Sequence, residues 1–95
     1  MKANVFPIAK FRCGKIVSTP NALSQLTQEE ILRGIQRHQA GDWGDVDEHD
    51  RQTNERAIIE GTRLWSVYHT ASGTKFWHIT EADRRASTVF LPEDY

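Results

Sequence analysis

The sequence predicts an α+β domain in which a small antiparallel sheet of about three strands packs against two or three helices. Two observations carry this expectation. The C-terminal third holds two runs rich in aromatic and β-branched residues, Arg63 to Ala71 and Thr74 to Thr80, on either side of Ser72-Gly73, which is the pattern of a β-hairpin. The stretch before it holds apolar residues at helical spacing, placed behind residues that cap helix N-termini.

The elements follow in chain order. Residues 1–14 have scattered apolar positions broken by Pro7 and Gly14 and are expected to form a loosely packed N-terminal arm. Lys15-Ile16-Val17-Ser18 suits a short strand or an extended arm. Thr19-Pro20 starts a short helix with Ala22, Leu23 and Leu26 on its apolar side, because Thr can accept from free N–H groups and Pro needs no partner at the first helical position. Thr27 and Glu30 form a capping-box pattern, and Ile31, Leu32 and Ile35 continue it to about Ala40. Gly34 inside that helix costs about 1 kcal/mol relative to Ala, so close packing is its expected reason. Gly41 to Asp45 reads as a tight loop. A further helix is expected from about Val46 to Glu60, capped by Asp45 with Glu48 and ended by Gly61. Its apolar stripe is narrow, and Asn54 beside it needs hydrogen-bond partners if buried.

For the hairpin, a two-residue turn at Ser72-Gly73 pairs Ala71 with Thr74 and Tyr68 with Trp77. One face then carries Leu64, Ser66, Tyr68, Trp77 and Ile79. The other carries Trp65, Val67, His69, Phe76, His78 and Thr80. Thr80-Glu81-Ala82-Asp83 suggests a capped helical turn, and Ser87 to Leu91 a third strand ending at Pro92.

The 95 residues make one domain, and 38% of them are hydrophobic. Mean hydropathy is -0.62, and no apolar run approaches the roughly 18 residues that cross a bilayer. The start, Met1 to Pro7, lacks the apolar stretch of a signal peptide, so a cytoplasmic location and no membrane partner are expected. The one cysteine, Cys13, excludes an internal disulfide and reads as a small apolar filler. Net charge is -1, which argues against a strongly basic nucleic-acid binder. The distribution is uneven. Residues 1–41 carry six Lys/Arg against two Asp/Glu, residues 42–60 two against seven, and residues 61–95 four of each. The middle of the chain is an acidic block.

No catalytic motif emerges. The cluster Asp42, Asp45, Asp47, Glu48, His49 and Asp50 lacks the spacing of a calcium loop or of a His-Glu-x-x-His zinc site. No serine sits in a Gly-x-Ser-x-Gly context, and no glycine loop is suited to phosphate. Neither a cofactor nor a metal is expected. The candidate partner-binding residues are Trp43 in its acidic loop with Asp42, Asp45, Asp47 and Glu48, the hairpin residues Trp65, His69, Phe76 and His78, and Arg84. Trp is enriched at interface hot spots, and Arg can clamp a carboxylate or phosphate.

Two passages together, His38-Gln39-Ala40-Gly41-Asp42-Trp43-Gly44-Asp45 and Thr80-Glu81-Ala82-Asp83-Arg84 followed by Thr88-Val89-Phe90-Leu91-Pro92-Glu93-Asp94-Tyr95, resemble a group of small proteins encoded on plasmids, integrative conjugative elements and prophages. These are often labelled plasmid-related or restriction–modification-associated. The resemblance spans about Ile16 to Tyr95. It carries over no catalytic residues, and this chain has Arg85 and Ala86 where the group tends to have serines. It implies a protein of a mobile element that binds a host defence complex, of the restriction or CRISPR kind, or regulates the element.

Three readings follow. The first is a non-catalytic protein-binding protein, an enzyme being the less favoured class. The second is a metal-dependent hydrolase or nuclease using His38, Asp45, Glu48 and His49. The third is a nucleic-acid-binding regulator using Lys2, Lys10, Arg12 and Lys15.

Overall fold

The computed structural model describes residues 9–95. The chain runs β1 (Lys15–Ser18), α1 (Pro20–Gln25), α2 (Gln28–Gln39), α3 (Glu48–Glu60), β2 (Leu64–His69), β3 (Lys75–Thr80), β4 (Ala86–Phe90) and a closing 3-10 turn, Pro92–Asp94. The fold class is α+β as expected, with three helices. The sheet has four strands in the order β1-β4-β3-β2, not about three, and it is mixed. β1 supplies the fourth strand and pairs parallel with β4, while β2–β3 and β3–β4 are antiparallel. The first eight residues of the expected N-terminal arm lie outside the described residues, and so does Lys2.

Local chemistry sets the helix starts. Thr19 Oγ1 accepts from the Ala22 N–H at 3.1 Å, with Pro20 in the first turn. Thr27 and Glu30 close a reciprocal capping box at 3.0 and 2.8 Å. α3 begins two residues later than predicted. Its cap is Asp47, whose Oδ1 accepts from the Asp50 N–H at 2.8 Å, rather than Asp45. Gly61 ends it at φ 76°, a left-handed conformation that glycine adopts without a Cβ penalty. Residues 80–83 form a strand end and a turn rather than a helical turn.

The hairpin exists, but its register differs by one residue from the expected one. Tyr68 pairs with Phe76 and His69 with Lys75. Thr70 N–H bonds to the Thr74 carbonyl at 2.9 Å, and Gly73 N–H bonds to the Thr70 carbonyl at 2.9 Å. The loop is therefore Ala71-Ser72-Gly73, with Gly73 at φ 95°, a three-residue connection whose glycine sits left-handed. Because side chains alternate along a strand, one residue of slip exchanges the faces of a whole strand. Phe76, His78 and Thr80 consequently share a face with Leu64, Ser66 and Tyr68. Trp77 and Ile79 join Trp65, Val67 and His69.

That exchange decides where the core sits. Leu64, Ser66, Tyr68, Phe76, His78, Thr80, Ser87 and Val89 are all buried, and this is the face the helices cover. Ala22 and Leu26 of the α1 region pack with Tyr68, Phe76, Val89 and Leu91, with Ile31 of α2 alongside. Trp43, Ala57 and Leu64 form a second cluster with Phe11, Val46 and Ile58 around it. A Cβ on Gly34 would lie 2.6 Å from His78 Nε2 and 3.1 Å from Phe76, so α2 approaches β3 at a distance that glycine alone allows. The core face is polar at its centre. His38 Nδ1 meets Ser66 Oγ at 2.5 Å and its Nε2 meets Thr80 Oγ1 at 2.8 Å. Thr80 Oγ1 lies 2.6 Å from Ser87 Oγ, which donates to the Cys13 carbonyl at 2.8 Å. Among the described residues, no helix is long and apolar enough to cross a membrane.

Candidate binding face

The sheet face turned away from the helices carries Trp65, Val67 and His69 from β2, Trp77 and Ile79 from β3, and Thr88 and Phe90 from β4. Aromatic rings gather on it. Trp65 stands edge-on to Trp77 at 4.9 Å between centroids, and Trp77 edge-on to Phe90 at 5.5 Å. Tyr95 folds back over them, stacked on Phe90 at 5.7 Å and on Trp65 at 6.2 Å, with 72% of its surface exposed.

The neighbouring Asp94 holds Tyr95 there. Its carboxylate accepts from Thr19 Oγ1 at 2.6 Å, from Asn21 Nδ2 at 3.2 Å and from the Leu91 N–H at 3.0 Å. These bonds hold the Asp94 carboxyl below the usual range. The Leu-Pro-Glu-Asp-Tyr passage is thus tied to the start of α1 and lays Tyr95 on the sheet.

The Gly-Asp-Trp-Gly-Asp loop closes the outer edge of β2. Gly44 bridges Val67 in parallel, with Val67 N–H bonding the Trp43 carbonyl at 3.0 Å and Asp45 N–H bonding the Val67 carbonyl at 2.8 Å. At Gly44, φ is 75° and a Cβ would collide with the Val67 carbonyl. Next along the edge, the Asn54 side chain donates to the Trp65 carbonyl at 2.8 Å and accepts from its N–H at 3.0 Å. The buried Asn54 therefore has both its partners, and it satisfies backbone groups that a free edge leaves open.

The sequence-predicted site residues fall into three groups. Trp65 and His69 lie on the open face, and Asp45 joins them, its carboxylate 2.6 Å from His69 Nδ1. Asp47 caps α3 beside that face. Asp42 and Glu48 are surface carboxylates held by arginines: Arg37 lies 2.7 Å from Asp42 and Arg51 lies 2.6 Å from Glu48, and both carboxyls are held below their ordinary range.

The third group is taken up in holding the fold together. Trp43 is 3% exposed. It stacks on Phe11 at 6.0 Å, and its indole N–H donates to Glu55 at 2.8 Å, so it fills the core instead of offering a contact. Phe76 and His78 lie under α2, for the register reason given above. Arg84 sits at φ 61°. Its guanidinium donates to the carbonyls of Ala57 at 2.9 Å and Thr62 at 2.7 Å, at the end of α3, and to those of Glu81 and Ala82 in its own turn. It fastens α3 to the β3–β4 turn, leaving no clamp for a ligand.

The metal reading's four residues are dispersed. His38 is wholly buried between Ser66 and Thr80, and burial with the neighbouring His78 lowers its pKa to about 3. Asp45 faces His69, and Glu48 faces Arg51. Among the described residues, no group of three or more His, Cys, Asp or Glu is placed to hold a metal ion. Burial likewise pushes the Cys13 thiol up. Lys10, Arg12 and Lys15 of the nucleic-acid reading are exposed.

Sequence reasoning missed Trp77, Ile79, Phe90 and Tyr95 as members of the open face. For Trp77 and Ile79 the signal was present in the alternation of β3 and was read one residue out of register. Tyr95 had no local signal, because Asp94 places it through contacts with residues more than seventy positions away.

Between α3 and the open face lies a cleft of about 410 Å³, lined by Asp45, Asp47, Asp50 and Thr53 on the helix side and by Arg63, Trp65, Val67 and Ile79 on the sheet side. A second cleft of about 240 Å³ continues past Arg63 and Ile79 to Thr88, Phe90 and Tyr95. The two make a track across the sheet with aromatic rings at its centre. Such a surface can bury a flat or extended partner against rings and β-branched side chains, with charge supplied from the helix side. Comparison with protein families, curated proteins and solved structures finds no match to this chain.

Proposed function

We propose that this protein acts in the cytoplasm by binding another protein through the open sheet face, without catalysis of its own. The observation that carries the reading is an aromatic track on the sheet face turned away from the core: exposed Trp65 and Tyr95 in contact with each other and with the half-buried Trp77, over buried Val67, Ile79 and Phe90. Trp and Tyr supply large, rigid contact area and dominate interface energetics, and exposed apolar surface of this kind marks interaction sites. The resemblance to proteins of plasmids, conjugative elements and prophages supplies the class of partner to try first, a host restriction or CRISPR complex that the protein would inhibit.

The test is binding of the purified protein to purified complexes of those two kinds, read by native mass spectrometry and by inhibition of target cleavage. The intact protein is expected to bind. The double variant Trp65→Ala with Tyr95→Ala is expected to lose most of the affinity while remaining folded. Trp43→Ala is unsuitable as the test, since it empties the core. Binding that survives the double substitution unchanged counts against the open face as the interface. Failure of the intact protein to bind either complex counts against the partner class.

A further inference from the structure

The cleft beside α3 is apolar on its floor and acidic on its wall. Val67 and Ile79, 8% and 3% exposed, form the floor, and Trp65, 39% exposed, stands at its side. On the wall, Asp47 uses one carboxylate oxygen to cap α3, and its other oxygen is free of hydrogen bonds among the described residues. Asp50 has neither an ion pair nor a side-chain hydrogen bond among the described residues. At the mouth, Asp45 meets His69. Arg63 reaches the far end, but its nearest carboxylate is Glu81 at 3.8 Å. The positive end of the α3 dipole offsets about half a charge and Arg63, shared with Glu81, at most one more, so Asp47, Asp50 and Asp45 together leave the cleft negative.

We propose that this cleft seats a lysine or arginine side chain from an extended basic segment of a partner protein. The inference rests on the reading of the open face as a protein-binding surface and adds the chemistry of what fills it. A long basic side chain matches both parts of the cleft. Its methylene stem covers Val67 and Ile79 while its charged head stays near the wall. The head lies between the carboxylates of Asp47 and Asp50 and the face of Trp65, where a cation is attracted to the indole ring. An acidic occupant meets repulsion from the wall, and a purely apolar one buries carboxylates without a partner.

The experiment titrates the isotope-labelled full chain with a blocked arginine-rich peptide at low salt, followed by NMR. Saturable shifts are expected at the Trp65 indole N–H and at the amides of Val67 and Ile79. The same peptide with glutamates in place of its arginines is expected to give none. Trp65→Ala and Asp50→Asn are each expected to raise Kd about fivefold, the scale of one cation–π or exposed charge contact, with unchanged amide spectra away from the cleft showing that each variant is folded. Shifts centred elsewhere, shifts that do not saturate, or a Kd unmoved by both substitutions overturn the proposal. The two readings fail separately. Peptide binding in the cleft without binding to defence complexes refutes the partner class and leaves the cleft's chemistry standing. Partner binding that depends on Tyr95 but is indifferent to Asp50→Asn refutes the basic seat and leaves the open face standing.

Discussion

Two of the four histidines are buried without charge, and this makes stability fall in a defined pH window. His38 and His78 are both fully buried. Burial lowers the pKa of His78 from 6.5 to about 4, and burial with the nearby His78 ring and Arg84 lowers that of His38 from 6.5 to about 3. The unfolded chain takes up protons on both rings below pH 6.5, whereas the folded chain does not until about pH 4. Stability is therefore complete above pH 6.5 and is lost as pH falls from there toward the folded values. At about 1.36 kcal/mol per pH unit per group, descending from pH 6.5 to pH 5 costs about 2 kcal/mol for each ring, about 4 kcal/mol in all. That is a large share of the roughly 5–15 kcal/mol typical of a domain.

Three hydrogen-bonded carboxylates act at lower pH than this window. Asp42, Glu48 and Asp94 are held below their ordinary values, so their contributions disappear only at more acidic pH. The assay is guanidinium unfolding at a series of pH values, followed by fluorescence and far-ultraviolet circular dichroism. His78→Leu is the informative variant. Among the described residues, neither ring nitrogen of His78 has a hydrogen-bond partner, so an apolar side chain of similar size removes an unmet polar group. It is expected to raise stability by about 1–3 kcal/mol at pH 7 and to halve the acid loss to about 2 kcal/mol. A wild-type stability that stays flat between pH 7.5 and pH 5, or a variant with undiminished pH dependence, refutes the reasoning.

Three further outcomes are expected from unfolding of single variants. Asn54→Ala leaves the Trp65 N–H and carbonyl at the sheet edge unpaired and is expected to cost about 2–3 kcal/mol, where an exposed helical Asn→Ala would be neutral or favourable; a change below about 0.5 kcal/mol contradicts the edge-closing role. Gly34→Ala places a Cβ 2.6 Å from His78 Nε2 and is expected to destabilise by about 1–3 kcal/mol through overpacking, despite a helix-propensity gain of about 1 kcal/mol; a net gain in melting temperature contradicts the close approach of α2 to β3. Arg84→Ala removes charged donors from the carbonyls of Ala57 and Thr62 and is expected to cost about 1.5–3 kcal/mol, and Arg84→Lys, whose ammonium lacks the planar fork, should restore little of it; full recovery by lysine shows that charge alone suffices.

Elements whose signals are local were legible in the sequence. The caps at Thr19 and Thr27, the stop at Gly61 and the existence of the hairpin are all written within a few residues of where they act. Register was not, because both faces of the hairpin carry large apolar groups and alternation alone does not choose between pairings. The choice depends on His38 of α2, which supplies partners to Ser66 and Thr80 and so makes a polar strand face tolerable in the core. Trp43 misled for a related reason. Glycines and acids on both sides suggest an exposed loop, but its burial depends on Phe11, His38 and the Glu55 carboxylate, which arrive from three other segments. The candidate face was half legible: Trp65, Val67 and His69 were placed together correctly, and the β3 residues beside them were exchanged with their neighbours.

The sealed edge of β2 also governs what two copies of the chain can do to one another. At the opposite edge, Lys15 and Thr19 direct their N–H groups to carbonyls at Arg85 and Val89, so the intervening Ile16 and Ser18 turn theirs outward. Ile16 and Val17 are each 38% exposed. Among the described residues, the outer N–H groups of β1 are open to a joining strand, whereas those of β2 are taken at Trp65 and Val67. Among the described residues, the sheet is thus monovalent in the hydrogen-bonding direction. Two copies that met edge to edge would present a sealed β2 at each end, and growth would terminate at a pair instead of propagating into a fibre.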